Sequence, residues 1–369
     1  MVVELSITLL FFIAVAAWTY LPFIPAVCEL LDFGECEPVN VSPDADVDIR
    51  HHSKSFRESV NRRLAEPVAQ CRAEHRQQEG RLEDGTPYRV LADNDEVAGT
   101  LGGPEPCKTM IVSTGRIVLP SRGVFFQEIY AEGAIHGGAG GVYRALLSDD
   151  SIELESGCRS LRWVDAGHVV RAREGSWLFG RVSAGELIEL AHGCRFERMR
   201  APRISLGGET STNDVRGDEI PLTPTELLAH VEVAAGRWLI RRPVQVPAGR
   251  LIEADVVVRG EARLGRGTRI RGSVKSDKDL HLADGVIVEG SVVSARNVYI
   301  GAGCRISGPV LAEGDVRVEP GCHIGRPGHL TTLSARKMWL APGNVVHGTI
   351  WAHEGGVVAT MGTPLEAVS

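Results

Sequence analysis

Residues 264–281 read Leu-Gly-Arg-Gly-Thr-Arg, Ile-Arg-Gly-Ser-Val-Lys and Ser-Asp-Lys-Asp-Leu-His, three sixes that together make one period. The cycle restarts at Leu282, Ile300 and Val318. In most sixes the first and fifth residues are apolar or small, and the other positions are mostly polar. One glycine recurs in every period, at Gly249, Gly267, Gly285, Gly303 and Gly321. Residues 246–352 therefore form an internal repeat.

The spacing of this repeat favours β-structure over helix. Apolar positions at i and i+4 suit a helix, but each interior glycine would cost about 1 kcal/mol relative to alanine. Short β-branched runs separated by glycine suit strands that end at sharp corners, where glycine adopts positive φ. Coils stacked about 4.8 Å apart would pair as parallel strands and align equivalent residues in columns. The pattern predicts a mainly β protein built on a parallel β-helix, with Cys304 over Cys322 and with Ser276, Ser294 and Ala312 in one column.

The run from Ile300 to Val318, Ile-Gly-Ala-Gly-Cys-Arg-Ile-Ser-Gly-Pro-Val-Leu-Ala-Glu-Gly-Asp-Val-Arg-Val, resembles the core domain of bactofilins, the bacterial polymer-forming cytoskeletal family. The resemblance implies a right-handed β-helix of about six coils, which assembles end to end at the cytoplasmic face of the membrane. Two features depart from the family's pattern. Arg250 stands in a column that is apolar in later coils, and four extra residues near 325–331 predict a protruding loop.

A left-handed hexapeptide-repeat acyltransferase would show the same spacing and is the alternative. Such an enzyme would use a histidine in a cleft between subunits, and His329 in the predicted loop is the candidate. The chain has twelve histidines, yet none is spaced from a second ligand as in Cys-x-x-Cys or His-Glu-x-x-His. The leading hypothesis therefore predicts no catalytic residue, no metal site and no cofactor.

Residues 1–28 are predicted to form a transmembrane anchor in the bacterial inner membrane. The run from Leu5 to Cys28 carries no charge, and it is long enough to cross the hydrocarbon core, for which a helix needs roughly 20 residues. A cleaved signal peptide is the alternative, although no Lys or Arg precedes the apolar run. No basic residues lie close to either end of this run, so the positive-inside rule gives almost no indication of the orientation in the membrane. We expect a single-pass protein with a cytoplasmic body; in the alternative, a periplasmic body, Cys28 and Cys36 could pair.

The rest of the chain divides into further segments. Phe56, Val60, Leu64, Val68 and Cys71 share one face of a predicted amphipathic helix, which Pro67 should kink or restart. A second set of glycines with the same spacing lies between residues 157 and 193 and predicts another β-helix block. The predicted segments are an acidic tether (29–53), a helical and irregular connector (54–113), a first β-helix block (114–207), a linker with a short helix (208–243), the bactofilin-like block (244–360) and a tail (361–369).

Basic residues are concentrated near the start of the bactofilin-like block. Between residues 241 and 279, ten Lys and Arg side chains outnumber five acidic ones. Such a surface could bind anionic lipid, an acidic polysaccharide or an acidic partner; a solvated face is the alternative. The net charge of −7 argues against a nucleic-acid binder. The residues predicted to form the patch are Arg263, Arg266, Arg269, Arg271 and Lys275.

The last recognisable coil, residues 340–352, is followed by no amphipathic helix that could cover it. An uncovered coil exposes backbone N–H and C=O groups that can template another strand. We therefore predict self-association, as a homo-oligomer or filament, through Leu340, Val346 and Ile350. Together these features predict a membrane-anchored scaffold that recruits envelope or polysaccharide-synthesis proteins. A fixed accessory subunit of a polysaccharide synthase is a further alternative.

Overall fold

The computed structural model describes residues 49–93, 105–208, 220–227 and 231–360. Two helices, α1 (His51–Arg63) and α2 (Ala65–Glu74), precede most of the sheet. Within the described ranges, no helix combines the length and the apolar character needed to cross a membrane. The predicted anchor (1–28), most of the predicted tether and the predicted tail (361–369) lie outside the described residues.

An amino-terminal block begins with a hairpin and continues as parallel coils. The strands of this block are β1 (Gln78–Arg81), β2 (Pro87–Leu91), β3 (Met110–Ser113), β4 (Ile117–Leu119), β5 (Val124–Ala131), β6 (Ile135–Gly137), β7 (Val142–Ser148), β8 (Ile152–Leu154), β9 (Arg159–Ala166), β10 (Val169–Ala172), β11 (Trp177–Ala184), β12 (Leu187–Leu190) and β13 (Arg195–Leu206). The longest column of paired strands in the block runs through β2, β3, β5, β7, β9, β11 and β13, each parallel to the next.

A carboxy-terminal block has three strands in most of its coils. It includes a 3-10 turn (Pro224–Glu226) and an antiparallel hairpin of its first two long strands. Its strands are β14 (Ile220–Pro221), β15 (Val231–Ala234), β16 (Arg237–Ile240), β17 (Val244–Val246), β18 (Arg250–Ile252), β19 (Asp255–Val258), β20 (Ala262–Leu264), β21 (Arg269–Ile270), β22 (Val274–Ser276), β23 (Leu280–Leu282), β24 (Ile287–Val288), β25 (Val292–Ser294), β26 (Val298–Ile300), β27 (Arg305–Ile306), β28 (Val310–Ala312), β29 (Val316–Val318), β30 (His323–Ile324), β31 (Thr331–Ala335), β32 (Met338–Leu340) and β33 (Asn344–Val358).

The register predicted for the carboxy-terminal block, one coil per period, is confirmed. Parallel pairing aligns Ser276 with Ser294 and Ser294 with Ala312. The recurring glycines, such as Gly267 and Gly285, have φ of +64° and +67°, as the sharp corners between strands require. Inward side chains such as Ile306 are buried. The predicted parallel β-helix is therefore present, and the two blocks together make about 14 turns.

The last coils of the two blocks are joined to each other. Strand β13 pairs with β33 in antiparallel register, with Met199 opposite Ile350 and Ile204 opposite Val346. The apolar core continues through this joint without interruption, from Leu91 in the amino-terminal block to Val358. The prediction that the last coil is open is therefore wrong. What covers it is the other block of the same chain, which no local sequence signal had identified.

The helices lie along the side of the amino-terminal block. Val60, Leu64 and Cys71 are buried against side chains that face outward from the longest strand column of that block, including Val112 and Leu147. The predicted apolar helix face is confirmed. The predicted interruption also occurs, because α1 ends at Arg63 and α2 begins at Ala65, which places Pro67 in the first turn, where its missing N–H is not needed.

Two of the predicted segments differ from the elements that the structure shows. The connector at 54–113 contains β2 and β3, which already belong to the amino-terminal block, so this block begins before residue 114. The linker at 208–243 is predicted to hold a short helix; its described residues contain a 3-10 turn at Pro224–Glu226 and then strand β15, which begins at Val231. The turn is capped, since the Thr223 N–H donates to Glu226 Oε1 at 3.3 Å.

Candidate functional site

The three residues predicted to mediate self-association are interior. Leu340 and Val346 each expose 1% of their surface and Ile350 exposes none. Val346 lies between Ile324 of its own block and Ile204 of the other. A second copy could reach Val346 and Ile350 only by displacing β13, and Leu340 only by displacing the end of β33, where Val358 pairs with it. The joint therefore occupies the surface that the sequence assigned to self-association.

The five basic residues predicted to bind an anion do not share one surface. Arg263, Arg269 and Lys275 lie on three successive strands of one coil and so face different sides of it. Arg266 and Arg271 lie between those strands. Arg263 pairs with Glu261 at 2.6 Å and Arg269 with Glu289 at 2.7 Å, and Arg271 pairs with Glu253. The local excess of positive charge is therefore spread around the coil and partly neutralised.

The predicted protruding loop is present between β30 and β31. Residues 326–330 are all exposed, and Arg326 and His329 form an isolated bridge at its turn. His329 lines neither the groove around Trp351 nor the groove around His281. In the part of the chain that the structure describes, no group of three or more His, Cys, Asp or Glu side chains could hold a metal ion.

A groove of about 700 Å³ lies where the two blocks meet, and we call it the junction groove. Three parts of the chain build it: α1, the outward bends of β5, β9, β11 and β13, and the middle of β33. Its lining is rich in arginine, histidine and tryptophan. The arginine and tryptophan side chains that line it, together with one of its histidines, are His52, Arg162, Trp163, Arg181, Arg198 and Trp351.

A single column of side chains crosses the floor of the junction groove. Strand pairing aligns Trp163 with Arg181, Arg181 with Arg198, and Arg198 with Trp351 across the joint. The register of β11 against β13 shifts just before Arg181, and such an irregularity bends a strand and redirects its side chains. The column therefore places two arginines next to each other between two tryptophans.

The junction groove is electrostatically positive. The Arg198 guanidinium stacks 4.5 Å from the Trp351 ring centroid, and Trp351 stacks on His353 at 4.5 Å. Among the described residues, no carboxylate forms an ion pair with Arg181. Burial lowers the pKa of His52, and the nearby charge of Arg181 lowers it further. Both effects keep this imidazole neutral at pH values where an isolated histidine would begin to take up a proton.

A second groove, of about 470 Å³, follows the outer side of the carboxy-terminal block. The His281 and Tyr299 rings, on neighbouring coils, stack with centroids 4.5 Å apart and an angle of 7°. Arg263 lies one coil before His281, and burial, then Arg263, lowers the pKa of His281. The arginines of this groove have nearby glutamates as ion-pair partners, so its positive charge is more fully balanced than that of the junction groove.

Sequence reasoning missed the junction groove, although one signal for it was readable. Trp163 and Arg181 are one period apart and so fall in the same column. Trp351 could not be assigned to that column because it arrives through the antiparallel joint. No family model, curated protein or solved structure matches the chain. The inference of function therefore starts from the fold and its grooves.

Proposed function

We propose that this protein is a membrane-tethered, bactofilin-like scaffold that self-associates and organises cell-envelope proteins, with the polysaccharide-synthesis machinery as the candidate partner. The joint between β13 and β33 carries the proposal. It unites two solenoids into about 14 turns, which at about 4.8 Å per layer extend roughly 65 Å. Continuous strand pairing and one shared core make such a body stiff, and a stiff body can hold its partners at fixed separations.

The membrane tether and the right-handed winding of the β-helix are part of the same proposal. The uncharged run from Leu5 to Cys28 supports a single membrane span, and the acidic segment after it would separate the body from the bilayer. The likeness of residues 246–352 to bactofilin cores supports a right-handed winding and a cytoplasmic body. We propose no second function, because His329 lies on an exposed turn and no described feature favours acyl transfer.

An edge available for self-association lies at the other end of the carboxy-terminal block. Strand β15 pairs with β16 on one side and, among the described strands, with no other on its second side. Val233 of β15 is 58% exposed, and Ile220 nearby in the sequence is 51% exposed. An exposed edge strand with apolar side chains is a template for another chain. We propose that copies associate through β15.

Sedimentation of the full-length protein in mild detergent tests this scaffold proposal. We expect wild-type protein to form concentration-dependent oligomers and Val233→Lys to dissociate them, because a charge beside an edge strand opposes its pairing. Leu311→Lys is the matched control, since Leu311 is 37% exposed on β28, a strand that is paired on both sides. A wild-type protein that stays monomeric at high concentration, or two variants that behave alike, would refute association through β15.

A further inference from the structure

We propose that the junction groove binds an acidic saccharide that carries one carboxylate. This site is separate from the β15 edge and from the tether, and its existence does not depend on either. The inference comes from the paired arginines on its floor, the count of charges around it, and the hydrogen-bonding groups on its walls.

The paired arginines indicate an anion. Arg181 and Arg198 lie directly opposite each other on neighbouring strands, and like charges in that position destabilise a sheet. No described carboxylate forms an ion pair with Arg181. A carboxylate placed beside Arg181 would give this guanidinium an ion-pair partner. Its two oxygens also match the fork of donors on a guanidinium, which favours arginine over lysine for this task.

The arginines are held in place before any ligand arrives. Arg198 is stacked on Trp351, and Trp163, on the other side of Arg181, is only 9% exposed and packs against Phe56 with ring centroids 5.7 Å apart. Rigid aromatic neighbours limit the rotamers that the arginines can adopt. Less conformational entropy is then lost on binding, which strengthens recognition of a ligand with the right spacing.

The charge count favours a singly charged ligand. Three arginines (Arg162, Arg181 and Arg198) and two glutamates (Glu128 and Glu197) line the groove, so with neutral histidines its net formal charge is +1. A phosphomonoester carries about −1.5 to −2 at pH 7 and would leave negative charge uncompensated. A carboxylate carries one charge and would be balanced.

The walls supply partners for hydroxyl groups. Ser55, Ser59 and His51 face the groove from α1, and they can donate or accept hydrogen bonds. Glu197, on the opposite wall, can only accept when ionised, and one of its oxygens already accepts from the Gly180 N–H at 2.8 Å. The volume of about 700 Å³ lies within the range of ligand sites. A ligand with one carboxylate and several hydroxyls, such as a saccharide with a single hexuronate unit, satisfies both the arginines and the walls.

Titration calorimetry with full-length protein in mild detergent tests the site. The probes are a disaccharide with a single hexuronate residue, a neutral disaccharide of the same linkage, and a nucleoside diphosphate. We expect the hexuronate to bind best, and Arg181→Gln to weaken its binding about tenfold or more, since a charge-assisted hydrogen bond is lost. Arg162→Gln should also weaken it. Arg266→Gln, an exposed arginine outside the groove, is the matched control and should bind as wild type does.

A purely structural role for Arg181 makes a different prediction. If Arg181 serves to bind a ligand, Arg181→Gln loses affinity while its melting temperature stays the same or rises. If Arg181 only stabilises the fold, the melting temperature falls. Equal binding of the neutral disaccharide, tighter binding of the nucleoside diphosphate, or wild-type affinity in both Arg181→Gln and Arg162→Gln would each overturn the proposal. If Arg181→Gln fails to fold, the exposed Arg162 decides the outcome, because its side chain contributes little to the core.

Discussion

Individual core positions show how a solenoid tolerates polar and reactive side chains. Ser276 and Ser294 are buried in one column, and their hydroxyls donate to the Gly260 and Lys278 carbonyls at 2.6 Å each. Cys194 and Cys322 are buried thiols without disulfides. Burial raises the pKa of Cys194 to about 11, and a hydrogen bond with Cys304, followed by burial, raises the pKa of Cys322. Because the thiolate is the reactive form, these cysteines serve as small core residues.

The register of the coils can be tested at one pair of adjacent residues. Ile306 is enclosed between Val288 and Ile324 in neighbouring coils and is 1% exposed. Ile306→Ala should lower the free energy of unfolding by about 2–4 kcal/mol, through lost burial and the cavity left behind. Arg305→Ala is the control and should change it by less than about 0.5 kcal/mol. Denaturant titration measures both values, and equal losses would contradict the register.

At the scale of the element, the entry to the carboxy-terminal block explains why Arg250 stands in an otherwise apolar column. Its side chain is only 17% exposed and pairs with Glu226 of the 3-10 turn. Glu226 Oε1 also accepts from the Thr223 N–H. One carboxylate therefore holds the turn together and neutralises a partly buried guanidinium. The departure from the repeat pattern marks the first coil, where a charged pair takes the place of apolar stacking.

Removing that carboxylate should loosen the entry coil. Glu226→Ala leaves Arg250 partly buried without its partner, and we expect a loss of about 1–3 kcal/mol in the free energy of unfolding. Glu253→Ala is the matched control, because Glu253 pairs with the more exposed Arg271 and should cost less than about 1 kcal/mol. Thermal and denaturant unfolding measure both variants. If Glu226→Ala costs no more than Glu253→Ala, the turn does not stabilise the block.

The elements that the sequence predicted best are those with an unbroken period. In the carboxy-terminal block, columns such as Val274, Val292 and Val310 advance by one full period at each coil. In the amino-terminal block the step varies: Ile117 pairs with Ile135, but Ile135 pairs with Ile152, one position short of a full period. Irregular register near the bends absorbs the difference and obscures the period. Strands β2 and β3 were missed because the step between them, from Tyr88 to Met110, is 22 residues and does not match the period.

For the whole molecule, the decisive contact was the least predictable from the sequence. The run around Val345 and Val346 reads as one more coil, and it does pair in parallel with β30. Its second pairing, to β13, is antiparallel and joins segments separated by the entire carboxy-terminal block. Neither periodicity nor local propensity encodes such a partner. The junction groove depends on that pairing, so the sequence could place Trp163 and Arg181 together but could not add Trp351.

The joint should make the two blocks unfold together. Val346→Lys puts a charge in the core between Ile324 and Ile204, where an unpaired ion costs several kcal/mol. We expect it to speed amide hydrogen exchange in β13, in the other block, and to split one thermal transition into two. Leu311→Lys, at a 37% exposed position, is the control and should leave one transition. Faster exchange confined to β33 would show that the blocks are independent.

The antiparallel joint also dictates an order of events during synthesis. A ribosome makes β13 first and must then translate from Leu206 to Asn344 before the matching strand exists, which at about 5–20 residues per second takes on the order of 10 s. Throughout that interval the finished amino-terminal coils end in an unpaired apolar edge, the kind of surface that chaperones recognise. The two halves can be sealed only after the second has been translated, so closure of the joint reports that translation has passed β33.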